Sequence, residues 1–390
     1  MGNDKMLFKK MGVALGIVTG RSLTGPIEVS VDLTRKCTAG CIMCWYWSPL
    51  LEQRPSAEWA DQQLDYELFL RLLKDFKKLH VKRIVFGGQG EPLLYPRITE
   101  VIDATKKAGI ETVLITNGVY LNEKKIKEIF DLRVDHVDFS IHAATSQTYQ
   151  KIHPGLKEGT FERIKQAIAL LAGLKKKFNR KIPTVTLIDA IFNLNYHETV
   201  KMVELAKELG AEAVGFKRAD IIPETRCLLL NNAQMDELKK LLKEAKEKAV
   251  ELGVDTSIDF YEKYIMAGLT TGDYTSGYYS RVPCYVGWVS SRILSDGSVI
   301  PCCGCYDVIL GNIRNSSFAK IWNSKEYREF RKKSINIWKN QNLAQECKCS
   351  SCIDFEFNLR IYQKLHPIKT RKLHNHGFHG LTQKHHSERS

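Results

Sequence analysis

The stretch from Asp32 to Leu50, DLTRKCTAGCIMCWYWSPL, carries three cysteines, Cys37, Cys41 and Cys44. Their spacing is C-x3-C-x2-C on one short loop. Zinc prefers four ligands, usually in two separated pairs. Three thiolates within eight residues suit an iron–sulfur cube that keeps one iron free of protein. A zinc knuckle that borrows a fourth ligand is the competing structural reading.

Outward from this loop, apolar strand patterns alternate with helical ones. The segment Ile27 to Leu33 (IEVSVDL) alternates as a strand and delivers the loop. A helical face of Leu64, Phe69, Leu72, Leu73, Phe76 and Leu79 follows, then the strand RIVFGG and a helix from Ile98 to Ala108. The strands ETVLIT, HVDFSI, VTLIDAIF and AEAVGFK come next, separated by helices after Asn122, over Thr160–Lys177 and over His197–Leu209. Such alternation predicts an α/β fold with a parallel sheet covered by helices, either an open sheet or a partial barrel. In both, ligands sit at the C-terminal ends of the strands, where the cysteine loop lies.

The pattern changes after residue 220. A charged helix, Asp236 to Leu252, reads as a spacer or lid. Residues 293–303 (ILSDGSVIPCC) read as a hairpin turning at Asp296-Gly297. The expected organisation is an N-terminal arm (1–25), a barrel (26–220), a helical linker (221–278), a small cysteine-rich domain (279–360) and a basic His-rich tail (361–390), disordered by composition.

The chain has 390 residues, a net charge of +14 and 11 cysteines. No apolar run reaches the roughly 20 residues of a membrane helix. No cleavable secretory signal is evident, so a cytoplasmic location is expected, where clustered thiols bind metal rather than form a disulfide scaffold. Met6 to Gly20 (MLFKKMGVALGIVTG) is expected as a helix packed on the domain, with peripheral membrane contact as the other reading. The charge reads as a solvated basic surface; a nucleic-acid partner is not expected, because basic residues do not interleave with aromatics.

The cysteine spacing after a first strand resembles the radical S-adenosylmethionine (radical SAM) family. Phe86 to Leu94 (FGGQGEPLL) is similar to that family's Gly-Glu-Pro motif, and Thr116-Asn117-Gly118 ends the third strand as is common there. The resemblance implies S-adenosylmethionine contacts at Gly88, Gly90, Glu91, Pro92 and Asn117, then Ser140 and His142 after the fourth strand and Asn193 after the fifth. VGFKRA (214–219) lies where the family passes the adenine. One departure is His153, near the place where many relatives carry an arginine. Cys37, Cys41 and Cys44 would hold a [4Fe-4S] cluster. There the sulfonium is cleaved by one electron, from a donor such as flavodoxin or ferredoxin, and the 5'-deoxyadenosyl radical abstracts hydrogen from substrate.

The later cysteines resemble the SPASM/twitch extension of the same family. Cys284, Cys302, Cys349 and Cys352 would hold one auxiliary [4Fe-4S] cluster, with Cys303, Cys305 and Cys347 as extra thiols or replacements. A zinc ribbon is the alternative for these four. Cys227 reads as a buried thiol, and Trp45, Tyr46 and Trp47 as packing residues that wall the cluster or line the substrate site. The implied fold is a partial (β/α)6 TIM-type barrel followed by a small SPASM/twitch-like domain. The implied function is net oxidation of an unknown substrate, an anionic small molecule or a peptide. Peptide maturation is the second enzyme reading. A non-catalytic zinc module contacting nucleic acid is the reading from another class.

Overall fold

The computed structural model describes residues 2–264, 266–275, 282–352 and 354–367. The His-rich segment beyond 367 lies outside the described residues. The helix Phe355–Leu365 runs across the expected boundary at 360.

The strands are β1 (Glu28–Val31), β2 (Arg83–Phe86), β3 (Glu111–Thr116), β4 (His136–Ser140), β5 (Thr184–Ile191), β6 (Ala213–Arg218) and β7 (Asp255–Thr256), all parallel and paired in sequence order. Each strand splits its side chains by parity. Val29, Ile84, Leu114, Val137 and Leu187 are buried beneath the helices. Glu28, Arg83, Glu111 and His136 share the other face and bond across neighbouring strands. Arg83 Nη2 lies 2.6 Å from Glu111 Oε1, and His136 Nε2 lies 2.7 Å from the same oxygen.

Local chemistry starts the covering helices. Asp65 Oδ1 accepts from Leu68 N at 2.8 Å at the head of helix Tyr66–Lys78. Asn122 caps Glu123–Asp131, and Asn231 with Gln234 forms a capping box before Asn232–Leu252.

Asn232–Leu252 corrects the spacer reading. Its buried stripe Leu238, Leu242, Ala245 and Ala249 recurs every three to four residues and packs on helix Thr199–Leu209. It then feeds β7, which pairs with β6, so it is one more helix of the barrel layer. The charged residues are its solvent face.

The sheet does not stop at β1. Strand β8 (Ser290–Ile293) pairs parallel to β1, with Glu28 opposite Ser290 and Val31 opposite Ile293. Strands β9 (Ser298–Ile300) and β10 (Gly311–Asn312) continue it antiparallel. The hairpin turns at Asp296-Gly297 as expected, with Gly297 at φ 86°. The cysteine-rich region therefore shares one ten-stranded sheet with the barrel.

Candidate functional site

The loop after β1 carries Cys37, Cys41 and Cys44. It is tied to its surroundings by backbone bonds: Ile42 N to Ile152 O at 2.9 Å and Cys44 N to Cys41 O at 3.0 Å. Asn117 Nδ2 reaches Cys37 Sγ at 3.8 Å, and Trp47 N reaches Cys44 Sγ at 3.4 Å. Burial pushes the Cys37 thiol up to about 12, with Glu91 and Cys44 adding to the shift. Burial does the same to Cys41, reinforced by both neighbouring thiols, and to Cys44. These groups suffer one another's charge in a desolvated loop, so thiolates there require a cation brought in from outside. Iron would supply that charge, and the donor set fits a cluster. Among the described residues no three His, Cys, Asp or Glu side chains converge on one metal-ion point.

The loop after β2 lies against the cysteine loop. A Cβ at Gly90 would stand 2.5 Å from Thr34 O and 2.7 Å from Lys36 O, so only glycine lets the two backbones meet. Glu91 N then donates to Lys36 O at 2.8 Å. The Glu91 carboxylate is buried and accepts three donors: Leu93 N at 3.0 Å, Thr116 Oγ1 at 2.7 Å and Asn117 N at 2.8 Å. Burial nevertheless raises its pKa to about 7. Pro92 opens a short 3-10 turn beside it. Glu91 thus holds the Thr116-Asn117-Gly118 turn in place and retains one lone pair, on Oε2.

At the end of β4, Ser140 lies on the same parity as His136. His142 follows at φ 55° and accepts from Ala190 N through Nδ1 at 3.0 Å, which leaves Nε2 as the N–H. Burial lowers its pKa to about 3, and His153 contributes, so the ring is neutral. His153 is fully buried, stacked on Tyr149 at 4.2 Å, with Nδ1 on Tyr149 O and Nε2 without a partner. Asn193 bonds backward, through Nδ2 to Cys227 O at 2.6 Å, and its buried Oδ1 has no partner. Cys227 itself is exposed, against expectation: in the 3-10 turn Pro223–Leu228 the inward positions go to Thr225 and Leu228.

Cys284, Cys302, Cys349 and Cys352 all line one enclosed cavity with Asp354 and Asn358. Burial drives the Cys302 thiol well up, with Asp354, Cys352 and Cys284 adding to it, and takes Cys349 to about 12. Burial and neighbouring thiols act here as in the first set, and the four cysteines fit a cluster as the first set does. Of the extra thiols, Cys347 also lines the cavity but is paired with Cys305 in a disulfide. Cys303 lies against Arg292. The segment around Cys349 hangs on the barrel: Arg218 Nη2 donates to Ser351 O, Tyr274 N to Ser350 O at 2.9 Å, and Cys352 N to Thr275 Oγ1 at 3.1 Å.

Sequence reasoning missed the polar groups that join these parts. Arg292 on β8 meets Asp32 at the end of β1, Nε to Oδ1 at 3.0 Å and Nη2 to Oδ2 at 2.9 Å. Burial opposes the Arg292 charge, but Asp32 outweighs it and holds the pKa above its ordinary value. Gly88, at φ 153°, has no room for a Cβ because Arg292 and Asp32 occupy that space. Gln89 accepts from Arg35 Nε at 3.0 Å, donates to Tyr46 Oη at 3.2 Å, and takes Trp47 Nε1 on its carbonyl at 3.2 Å. Arg35 also binds Asp296 in the hairpin turn at 2.9 Å. Glu198 is a further missed residue: it accepts from Ala144 N at 2.7 Å and Thr148 Oγ1 at 2.7 Å, shaping the loop after His142. The only sequence signal for these groups was a charge next to a motif.

The two cysteine-bearing loops touch. The Tyr306 ring, soon after Cys303, meets Trp45 at 6.1 Å and Tyr46 at 5.9 Å between centroids. Lys348, next to Cys349, stands 4.7 Å over the Trp45 ring.

Comparison with known proteins agrees with this geometry. Residues 31–206 match the model of the radical SAM superfamily, and residues 284–353 match the SPASM iron–sulfur cluster-binding domain. The tungsten-containing aldehyde ferredoxin oxidoreductase cofactor-modifying protein of Pyrococcus furiosus is 26% identical over 335 residues, 77% of this chain and 82% of that one. The PqqA peptide cyclase of Gluconobacter oxydans is 25% identical over 307 residues, 76% of each. Among solved structures, Streptococcus suis SuiB bound to S-adenosylmethionine superposes with a TM-score of 0.59 at 13% identity, covering 79% of this chain and 68% of that one. Native anSMEcpe with bound AdoMet gives 0.58 at 18% identity, covering 90% and 100%. These last two are likenesses of fold. The chain is a radical SAM enzyme that carries a C-terminal SPASM iron–sulfur domain.

Proposed function

We propose that this enzyme oxidises its substrate in the barrel interior and passes the electron to an auxiliary cluster on Cys284, Cys302, Cys349 and Cys352. The observation that carries the reading is the contact of the two cysteine loops through Trp45, Tyr46 and Tyr306. It brings the loop that carries Cys37, Cys41 and Cys44 against the segment that carries Cys302 and Cys303, which supports a substrate held between the two donor sets. S-adenosylmethionine bound at a cluster on Cys37, Cys41 and Cys44 supplies the 5'-deoxyadenosyl radical that removes hydrogen from the substrate.

The chain's own residues orient and exclude. The remaining Glu91 Oε2 lone pair accepts from the ammonium of S-adenosylmethionine, Gly88, Gly90 and Pro92 set that loop, and Asn117 stands beside Cys37. Ser140, neutral His142 and Asn193 serve the carboxylate and ribose side. Trp45, Tyr46 and Trp47 keep water from the thiols. The polar set Glu28, Arg83, Glu111 and His136 stands at the first positions of β1 to β4, the end of the sheet away from the cysteine loop, and is not part of the substrate wall. The names of the PqqA peptide cyclases favour a peptide side chain as substrate over a small anion. A one-electron donor of the flavodoxin or ferredoxin class and a cytoplasmic location complete the reading; among the described residues no helix is long and apolar enough to cross a membrane.

The test is anaerobic reconstitution followed by iron and sulfide counting and a 5'-deoxyadenosine assay with dithionite. About eight irons, as two [4Fe-4S] clusters require, with deoxyadenosine formed, support the proposal. Iron for only one cluster removes the auxiliary site, and zinc without deoxyadenosine removes the whole reading.

A further inference from the structure

The helix Gly2–Thr19 has apolar residues on two sides. Its inner side packs on the domain: Val13 and Ile17 are buried, and Gly16 has no space for a Cβ because Arg21 O and the Trp288 ring lie within 2.6 and 3.3 Å. Lys9 is anchored there too, donating to Pro26 O at 2.7 Å and Leu79 O at 3.3 Å. The outer side presents Met11, Leu15 and Val18 at the helical spacing i, i+4 and i+7, exposed by 58, 55 and 76%. Leu23, in the segment that follows, is 50% exposed. A helix lying on a protein surface normally turns charge outward. Here the outward face is apolar over successive turns, and the neighbouring loop extends it.

The surface beside this stripe is cationic. An open groove of about 510 Å³ runs between the segment Ser22–Gly25 and the loop that leads into β2. Lys78, His80 and Lys82 line it together with buried Lys9, whose ammonium is already taken by the carbonyls of Pro26, Leu79 and His80; among the described residues no carboxylate lines it. Exposed Arg21 immediately precedes the segment Ser22–Gly25 that forms one side, on a chain whose net charge is +14. Apolar side chains next to a basic groove are the two elements by which an interfacial helix holds an anionic bilayer: acyl-region burial for the stripe, headgroup phosphates for the lysines. A purely acidic protein partner would use the groove and leave the stripe exposed. A second copy of the chain would cover the stripe but set like charges face to face.

We propose that helix Gly2–Thr19 and the adjoining lysine groove form a peripheral docking surface for an anionic phospholipid bilayer. The helix lies in the plane of the membrane, and the enzyme stays outside it. The face lies on the side of β2's N-terminal end, opposite the cysteine loop after β1, so docking leaves the catalytic end free.

The test is co-sedimentation of the reconstituted enzyme with vesicles of phosphatidylcholine alone or with about one-third phosphatidylglycerol, at low and high salt. Expected is binding to the anionic vesicles only, weakened by salt. Leu15→Glu and Val18→Glu, alone and together, should reduce it by about tenfold or more. Both side chains are exposed, so deoxyadenosine formation should be unchanged and reports that the variants are folded. Three results would overturn the proposal: no binding of the unaltered enzyme to anionic vesicles, equal binding by the double variant, or a dimer in sedimentation velocity that the double variant dissolves.

Discussion

Removing the Asp32 carboxylate tests how the SPASM hairpin is held to the barrel. Asp32→Asn keeps the shape but leaves Arg292 charged, with its side chain 6% exposed and no anion beside it. Stranding one partner of a buried pair costs about 3–5 kcal/mol. The loss should be local, because Arg292 belongs to β8 and Asp32 to β1, and the two strands pair over only four residues. Native-state hydrogen exchange reads it directly: β8 amides should lose roughly 150- to 5000-fold protection relative to β4 amides in the same molecule. Arg292→Met supplies the cycle. With both changes the buried charge is gone, and the double variant should recover about 2–3 kcal/mol relative to the sum of the singles. Unchanged β8 protection in Asp32→Asn, or strict additivity in the cycle, would refute the argument that this pair joins the two regions.

Other consequences are as definite. Asp189 is fully buried; burial first, and Glu198 second, raise its pKa from 3.8 to about 8. The folded state therefore holds a proton that the unfolded chain releases. Its stabilising effect is complete below pH 4 and is lost as pH rises toward 8, at about 1.4 kcal/mol per unit. Asp189→Asn does not titrate, so its urea midpoint should gain on that of the unaltered enzyme by the equivalent of about 3 kcal/mol between pH 5 and 7. A constant gap would sink the assignment. Cys41→Ala should abolish deoxyadenosine formation while the auxiliary iron stays; continued formation would remove the first loop from the mechanism. Cys349→Ala should lose about half the iron and keep some substrate-independent S-adenosylmethionine cleavage, and full iron content would strike Cys349 from the ligand set.

Much of the barrel was legible because it is built from local signals. Val29 and Val31 alternate with Glu28 and Ser30, and Asp65 or Asn122 announces the helix it caps. The motif loops were legible because each follows such a strand. What escaped was long-range or short. Arg292 and Asp32 stand 260 positions apart, and nothing local in either predicts the other. Strand β7 has two residues, too few for any periodicity. The barrel helix Asn232–Leu252 looked like a spacer because its core stripe is narrow and its other positions are charged. Cys227 looked like a core thiol by residue type, but a single turn of 3-10 helix decided its direction. The disulfide of Cys305 and Cys347 joins positions 42 apart, and spacing alone does not choose it from among the extra thiols.

The motif residues are fixed by the fold before any ligand arrives, and this narrows what each can do for one. Gly88 is a glycine because Asp32 and Arg292 fill the place of its side chain, and Gly90 because the backbone leading to Cys37 does. Three of the four lone pairs on Glu91 are taken by Leu93, Thr116 and Asn117, the last two at the end of β3 and just after it. A ligand ammonium at Glu91 would therefore have only Oε2 open to it, the oxygen that Asn117 N already uses. Any displacement of the Thr116-Asn117-Gly118 turn shifts that oxygen and moves Asn117 Nδ2 away from Cys37. The loops after β1, β2 and β3 thus behave as one rigid receptor. Thr116→Val is its sharpest probe, since it removes one donor to Glu91 and the acceptor of Gly118 N without touching cysteine or ligand. It should weaken S-adenosylmethionine binding by about 0.5–1.5 kcal/mol, the net worth of one such bond, while the iron content stays full. Undiminished binding in that variant would show that the loops act separately.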